Sequence, residues 1–149
     1  MSADFPHPEM WWTHRVSYGE TDAMGVVYYG NYLHWFEQAR SHFIRELGMS
    51  YAQIEARGVM LPVREAFCRY RAPARYDQVV SIRTGISTWG RASLTFVYEV
   101  YNQSEDNRFM TSGYTQHPCV SPEGKLVALP DWLQEVVRSR DQASEVRGQ

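Results

Sequence analysis

The alternation of apolar and polar positions divides the chain into a helical block followed by a long β-rich block. Between Asn31 and Leu47 the apolar residues Leu33, Phe36, Ala39, Phe43, Ile44 and Leu47 recur at threes and fours, the spacing of an amphipathic helix with one buried stripe. Asn31 is a candidate N-cap, and Gly48 suits the left-handed residue that ends a helix. Ser50 followed by Gln53 reads as a capping box, which predicts a short second helix over Tyr51 to Arg57, stopped by Gly58.

From residue 60 the period changes. The runs MLPVREAFCRYRA, QVVSIRTGISTW, ASLTFVYEVYN and RFMTSGYTQHPCV are β-rich and separated by turn signals. In the third, Ala92, Leu94, Phe96, Tyr98 and Val100 alternate with Ser93, Thr95 and Glu99, so one face is buried. The connections APARYD, WGR and NQSEDN are too short for parallel crossovers and predict sequential antiparallel pairing. With His14 to Gly19 as a first strand the order is β-α-β-β-β-β, and Asp131 to Ser139 predicts a C-terminal helix with Trp132, Leu133, Val136 and Val137 on its face. A single apolar helix ahead of four long strands must bury its stripe on the sheet they build, an α+β architecture. The sheet's other face or an edge strand is then open to a second copy, which predicts a homo-oligomer.

Composition narrows the picture. The 149 residues are 44% hydrophobic, enough for one domain with a real core. The polar, proline-containing residues 1–10 and the apolar-poor tail 139–149 read as flexible, leaving 11–138 as the folded unit. No run of apolar residues is long enough for a membrane helix, and the N-terminus lacks the basic-then-apolar order of a secretory signal, so a cytoplasmic location is expected. A net charge of -2 argues against a nucleic-acid binder held by phosphate contacts. Cys68 and Cys119 lack C-x-x-C spacing and read as reduced thiols.

Tyr18-x-x-Thr21-Asp22-x-x-Gly25-Val26-Val27-Tyr28-Tyr29-x-Asn31-Tyr32, then Phe36-Glu37-x-Ala39-Arg40 and Leu47-Gly48, resembles the hotdog-fold thioesterases of the 4-hydroxybenzoyl-CoA thioesterase family, nearest the branch associated with the Tol-Pal system. The resemblance runs from about residue 13 to 132, through RAPARYDQVVSIRT and RASLTFVYEVYN. It implies one long helix wrapped by a curved antiparallel sheet, dimers joined edge to edge and often paired into homotetramers, and hydrolysis of acyl-CoA thioesters with neither metal nor other cofactor. It also implies that Asp22 is the catalytic carboxylate, with Tyr18 beside it and Gly25, Val27 and Tyr28 bordering the substrate. Tyr29 departs from the histidine common in the Tol-Pal branch, and its backbone amide survives that change.

Read without the resemblance, the residues are compatible with this chemistry, and equally with Asp22 as a solvated turn residue or a cap for stray amides near the helix start. Thioester hydrolysis needs a nucleophile or a base for water, and donors where the carbonyl oxygen becomes negative. Asp22, just upstream of a helix start, can attack the thioester or deprotonate water. Backbone amides near Tyr29 to Asn31 sit at the positive end of the helix and can supply the donors. Gly25 permits a tight turn between them. Glu20 lies outside the motif and reads as a surface charge. Arg71, Arg75 and Arg91 flank strand ends and are candidates for the phosphates of CoA. His34 and Glu37 have metal-like spacing without a second pair, so no metal is expected, and no G-x-S-x-G elbow supports a serine hydrolase. A non-catalytic acyl-thioester binding or scaffold protein is the alternative; a hotdog dehydratase is disfavoured because no histidine falls within residues 18–31.

Overall fold

The computed structural model describes residues 4–147. Five strands form one antiparallel sheet: β1 (Met10–Arg15), β2 (Glu65–Tyr70), β3 (Val79–Trp89), β4 (Ser93–Asn102) and β5 (Arg108–Pro118), in the order β1-β3-β4-β5-β2. Three α-helices accompany them: α1 (Asn31–Glu46), α2 (Tyr51–Ala56) and α3 (Asp131–Arg147). The long helix α1 lies on one face of this sheet, the α+β arrangement the residue pattern predicts.

That face is set by strand alternation. Val80, Ile82 and Ile86 of β3 and Leu94, Phe96, Tyr98 and Val100 of β4 turn inward and are buried. From α1, Tyr32, Trp35, Phe36, Ala39, Phe43 and Ile44 meet them. Phe36 stacks on Tyr98 with centroids 4.2 Å apart and planes 3° from parallel. Its ring seats over Gly113, where an added Cβ would lie 2.6 Å from Phe36 Cε2 and 2.3 Å from the Phe67 carbonyl oxygen. The buried stripe is thus rotated from the expected one: Leu33 is exposed and Tyr32 and Trp35 are inside, because aromatic rings fill the space between helix and sheet edge.

Buried polar groups are chained beneath α1. Arg40 donates to the hydroxyls of Tyr51 (3.0 Å) and Tyr98 (3.1 Å). The Tyr98 hydroxyl meets Thr115 Oγ1 at 2.7 Å, and Thr115 meets His117 Nε2 at 2.7 Å. His117 Nδ1 lies 3.0 Å from the Leu61 carbonyl oxygen. Burial, against the help of that carbonyl, pushes His117 down to about 4 and keeps it neutral.

Several boundaries differ from expectation. The first strand is Met10–Arg15 rather than His14 to Gly19, because Ser17 and Glu20 close a capping box around a 3₁₀ turn at Tyr18–Glu20. Contacts with the sheet begin before residue 10. Phe5 is buried on the outer sheet face, 4.3 Å from the Arg83 guanidinium, and Glu9 pairs with Arg83. At the other end α3 continues past Ser139 to Arg147, and Arg140 Nη2 lies 3.7 Å from Glu46 Oε2. The run from residue 60 gives a strand only over Glu65–Tyr70; before it Met60 makes an isolated bridge to Val120. Gly30 is the N-cap of α1 and Asn31 its first residue. The Ser50 capping box and the left-handed Gly48 (φ +86°) and Gly58 (φ +94°) stand as the sequence predicts. Both cysteines are free thiols. Among the described residues, no helix is long and apolar enough to cross a membrane.

Candidate active site

The segment between β1 and α1 folds back on itself. Thr21 bridges Val27, Asp22 N–H donates to the Val26 carbonyl (2.8 Å), and Gly25 N–H returns to the Asp22 carbonyl (3.0 Å). Gly25 turns the corner at φ +80°, a conformation costly for a side chain that carries Cβ. The Asp22 carboxylate reinforces the turn: Oδ1 accepts from Met24 N–H at 2.9 Å and, more weakly, from Val26 N–H at 3.4 Å. Among the described residues Oδ2 has no hydrogen-bond partner. The carboxylate is therefore oriented through one oxygen and open at the other.

Glu20 anchors this loop, which corrects its reading as a surface charge. Its side chain is 14% exposed and accepts from Trp35 Nε1 (2.6 Å) and Ser17 N–H (2.7 Å), with His14 Nε2 2.8 Å away. Burial would raise its pKa, but the Ser17, His14 and Trp35 contacts outweigh that and hold it below the ordinary carboxylate value. The Glu20 carbonyl accepts from Tyr28 N–H (2.9 Å) and Asn31 Nδ2 (2.8 Å). Asn31 thus ties the loop to the helix instead of capping it.

The backbone leading into α1 presents two open donors. Asn31 N–H donates to the Tyr28 carbonyl (2.9 Å) and Tyr32 N–H to the Tyr29 carbonyl (3.3 Å), whereas the N–H groups of Tyr29 and Gly30 find no acceptor among the described residues. They sit at the positive end of a helix of 16 residues. A side chain at Gly30 would run into the Tyr28 ring, 2.8 Å from the added Cβ. The available donors are therefore Tyr29 and Gly30, and Asn31 is already engaged.

A cleft of about 290 Å³ opens beside these donors, lined by Val26, Val27, Tyr29, Tyr32, Tyr70 and Arg71 among others. Val27, one of its lining residues, is 5% exposed, its N–H held by the Ala74 carbonyl at 2.9 Å. Tyr70, from edge strand β2, reaches over to donate its hydroxyl to the Tyr29 carbonyl at 3.0 Å. Nothing in the β-rich run around Tyr70 marks it for this contact, because its partner lies 41 positions earlier.

The remaining candidates are spread out. Tyr18 is 78% exposed and packs edge-on against Tyr76, with no hydrogen bond to Asp22. Tyr28 and Tyr29 are exposed, their rings 4.7 Å apart. Arg71 lies at the cleft, its Nη1 donating to Ser112 Oγ at 2.9 Å, and exposed Arg75 bridges Val26 through its backbone. Arg91 sits in the β3–β4 turn, at the opposite end of strand β3 from the residue that pairs with Arg15, about 35 Å along the sheet from the loop. His34 and Glu37 form an exposed pair 3.9 Å apart.

The chain is similar to known proteins in sequence and in fold. Residues 16–137 match the thioesterase-like superfamily. Over 120 residues the chain is 35% identical to the acyl-CoA thioester hydrolase YbgC of Escherichia coli, covering 80% of this chain and 88% of that one. It is similar to the DHNA-CoA thioesterase of Staphylococcus aureus, with a TM-score of 0.79 and 32% identity over 95% of both chains. It also shares its fold with the 4-hydroxybenzoyl-CoA thioesterase from Pseudomonas sp. strain CBS-3, with a TM-score of 0.78 and 21% identity over 86% of this chain and 98% of that one. The helix seated on a five-stranded antiparallel sheet and a family match over residues 16–137 lead to one conclusion: the chain belongs to the thioesterase-like superfamily and has its hotdog fold.

Proposed function

We propose that this protein hydrolyses acyl-CoA thioesters to the free acid and CoA. The observation that carries the reading is the pairing, within one loop, of a carboxylate with a free oxygen and two backbone N–H groups without acceptors. The acyl carbonyl oxygen would lie against the N–H groups of Tyr29 and Gly30, which stabilise it as it becomes negative. Asp22 then acts in one of two ways. As a nucleophile, Oδ2 bonds to the carbonyl carbon, the C–S bond breaks, the CoA thiolate leaves and takes a proton, and water hydrolyses the acyl-aspartyl anhydride. As a base, it takes a proton from the water that attacks the same carbon; the C–S bond then breaks and the CoA thiolate leaves, taking that proton back from Asp22.

The names of the relatives span unspecified acyl-CoA and aromatic acyl-CoA substrates. In this chain the cleft beside the donors is lined by Tyr29, Tyr32, Tyr70 and Val27, which suits an apolar or aromatic acyl group. Arg71, in its lining, and Arg75, whose backbone bridges the lining residue Val26, would supply charge for CoA phosphates. Tyr18, exposed and packed against Tyr76, has no assigned step in either route. The exposed edge of β2 beside the cleft is where a second copy adds in an antiparallel pair, and two such dimers would give the tetramer.

Thiol release from acetyl-, hexanoyl-, palmitoyl- and benzoyl-CoA tests the reading. Chain-selective hydrolysis supports it. Binding of these thioesters without any turnover would instead favour the acyl-thioester binding protein.

A further inference from the structure

The Tyr29 carbonyl and the Gly30 N–H belong to one peptide group, planar and electronically coupled by resonance. Its oxygen takes two hydrogen bonds, from Tyr32 N–H at 3.3 Å and from the Tyr70 hydroxyl at 3.0 Å, while its N–H is left open. The preceding peptide, between Tyr28 and Tyr29, is tied differently. Its oxygen is held by Asn31 N–H at 2.9 Å, a contact internal to the helix start. Only the second donor peptide is fixed from outside the helix, and the fixing group stands on β2.

We propose that Tyr70 is a positioning residue for hydrolysis, acting through the Tyr29–Gly30 peptide. This rests on the thioesterase reading above. The hydroxyl does two things. It fixes the rotation of the peptide plane, and so the direction in which Gly30 N–H points. It also draws electron density from the carbonyl, which makes the N–H at the other end a stronger donor, as hydrogen bonds in a chain polarise one another.

The surroundings of Tyr70 suit that task. Its ring is held edge-on by Tyr32 (5.2 Å, 74°) and Tyr29 (6.2 Å, 78°), so the hydroxyl is aimed by packing on two sides. Burial, together with the neighbouring Cys68 thiol and Tyr32 and Tyr29, raises its pKa, so the hydroxyl keeps its proton and remains a donor. Tyr70 is 45% exposed in the single chain, and phenylalanine keeps every ring atom, so removing one oxygen should not unfold the chain.

The test compares wild type, Tyr70→Phe and a variant carrying p-aminophenylalanine at this position, which keeps the ring and restores a donor. Thiol release is followed with hexanoyl- and benzoyl-CoA, alongside the thermal midpoint of each protein. The expected result is a kcat lowered about tenfold in Tyr70→Phe, a fraction of what losing a whole oxyanion donor costs. KM stays within about twofold, the thermal midpoint is unchanged, and the amino variant recovers most of the rate. An unchanged kcat, a loss expressed in KM alone, or no recovery with the amino group would overturn the inference. Asp22→Asn is run in parallel. If it is inactive while Tyr70→Phe is normal, only the role of Tyr70 fails; if it is fully active, the thioesterase mechanism itself fails.

Discussion

At the scale of single residues, the loop before α1 depends on two carboxylates with opposite duties. Asp22 keeps one oxygen open, whereas both oxygens of Glu20 are engaged. Replacing Glu20 by Ala strands the indole N–H of Trp35, which is fully buried. The expected cost is about 2–3 kcal/mol of stability, the range for losing a bond to a charged group. Urea unfolding measures it, and hydrolysis should fall in parallel because the loop loses its anchor. The tight turn from Asp22 to Gly25 was legible because its motif is local. Glu20 was not, since its partners His14 and Trp35 stand six and fifteen positions away and meet only when β1 and α1 pack.

At the scale of elements, α1 is seated by contacts that no helix-only pattern contains. The 3.6-residue period gave its span and its ending at Gly48, yet placed Leu33 inside and left Tyr32 and Trp35 out. The face a helix buries depends on which side carries the large rings once a sheet is present. Gly113→Ala tests that seat: the new Cβ meets the Phe67 carbonyl and the Phe36 ring at impossible distances. A loss of about 3 kcal/mol or more is expected on thermal unfolding, at the upper end for overpacking. The β3 and β4 spans were readable from alternation and short turns. β1 was displaced because a capping box at Ser17 and Glu20 interrupts what composition reads as a continuous strand.

At the scale of the whole molecule, two measurable properties follow. The first is acid sensitivity. His117 is held neutral, with its folded pKa lowered from 6.5 to about 4, so between those values the unfolded chain binds a proton that the folded chain does not. Its contribution is complete above pH 6.5, declines as pH falls and is gone near pH 4. That amounts to about 3 kcal/mol, with each tenfold step worth about 1.4. Glu20, its pKa also depressed, adds a further loss as pH drops below the ordinary carboxylate value of 4.5. Urea titrations across pH 4 to 7 should show the decline, and a His117→Gln variant should lose the part above pH 4.5. The second property is assembly. With β2 as an open edge beside the cleft, sedimentation should give two or four times 17.4 kDa; a single 17.4 kDa species at micromolar concentration would contradict it.

The central claim is that the open oxygen of Asp22 performs the chemistry. The most direct measurement is the rate of thiol release at saturating acyl-CoA for wild type and Asp22→Asn, with acyl-CoA affinity measured on both by calorimetry. Because Asn can still accept from Met24 N–H through its amide oxygen, the turn should persist and binding should change little. A kcat reduced by about a hundredfold or more with affinity retained is the predicted result. Turnover equal to wild type would contradict the account.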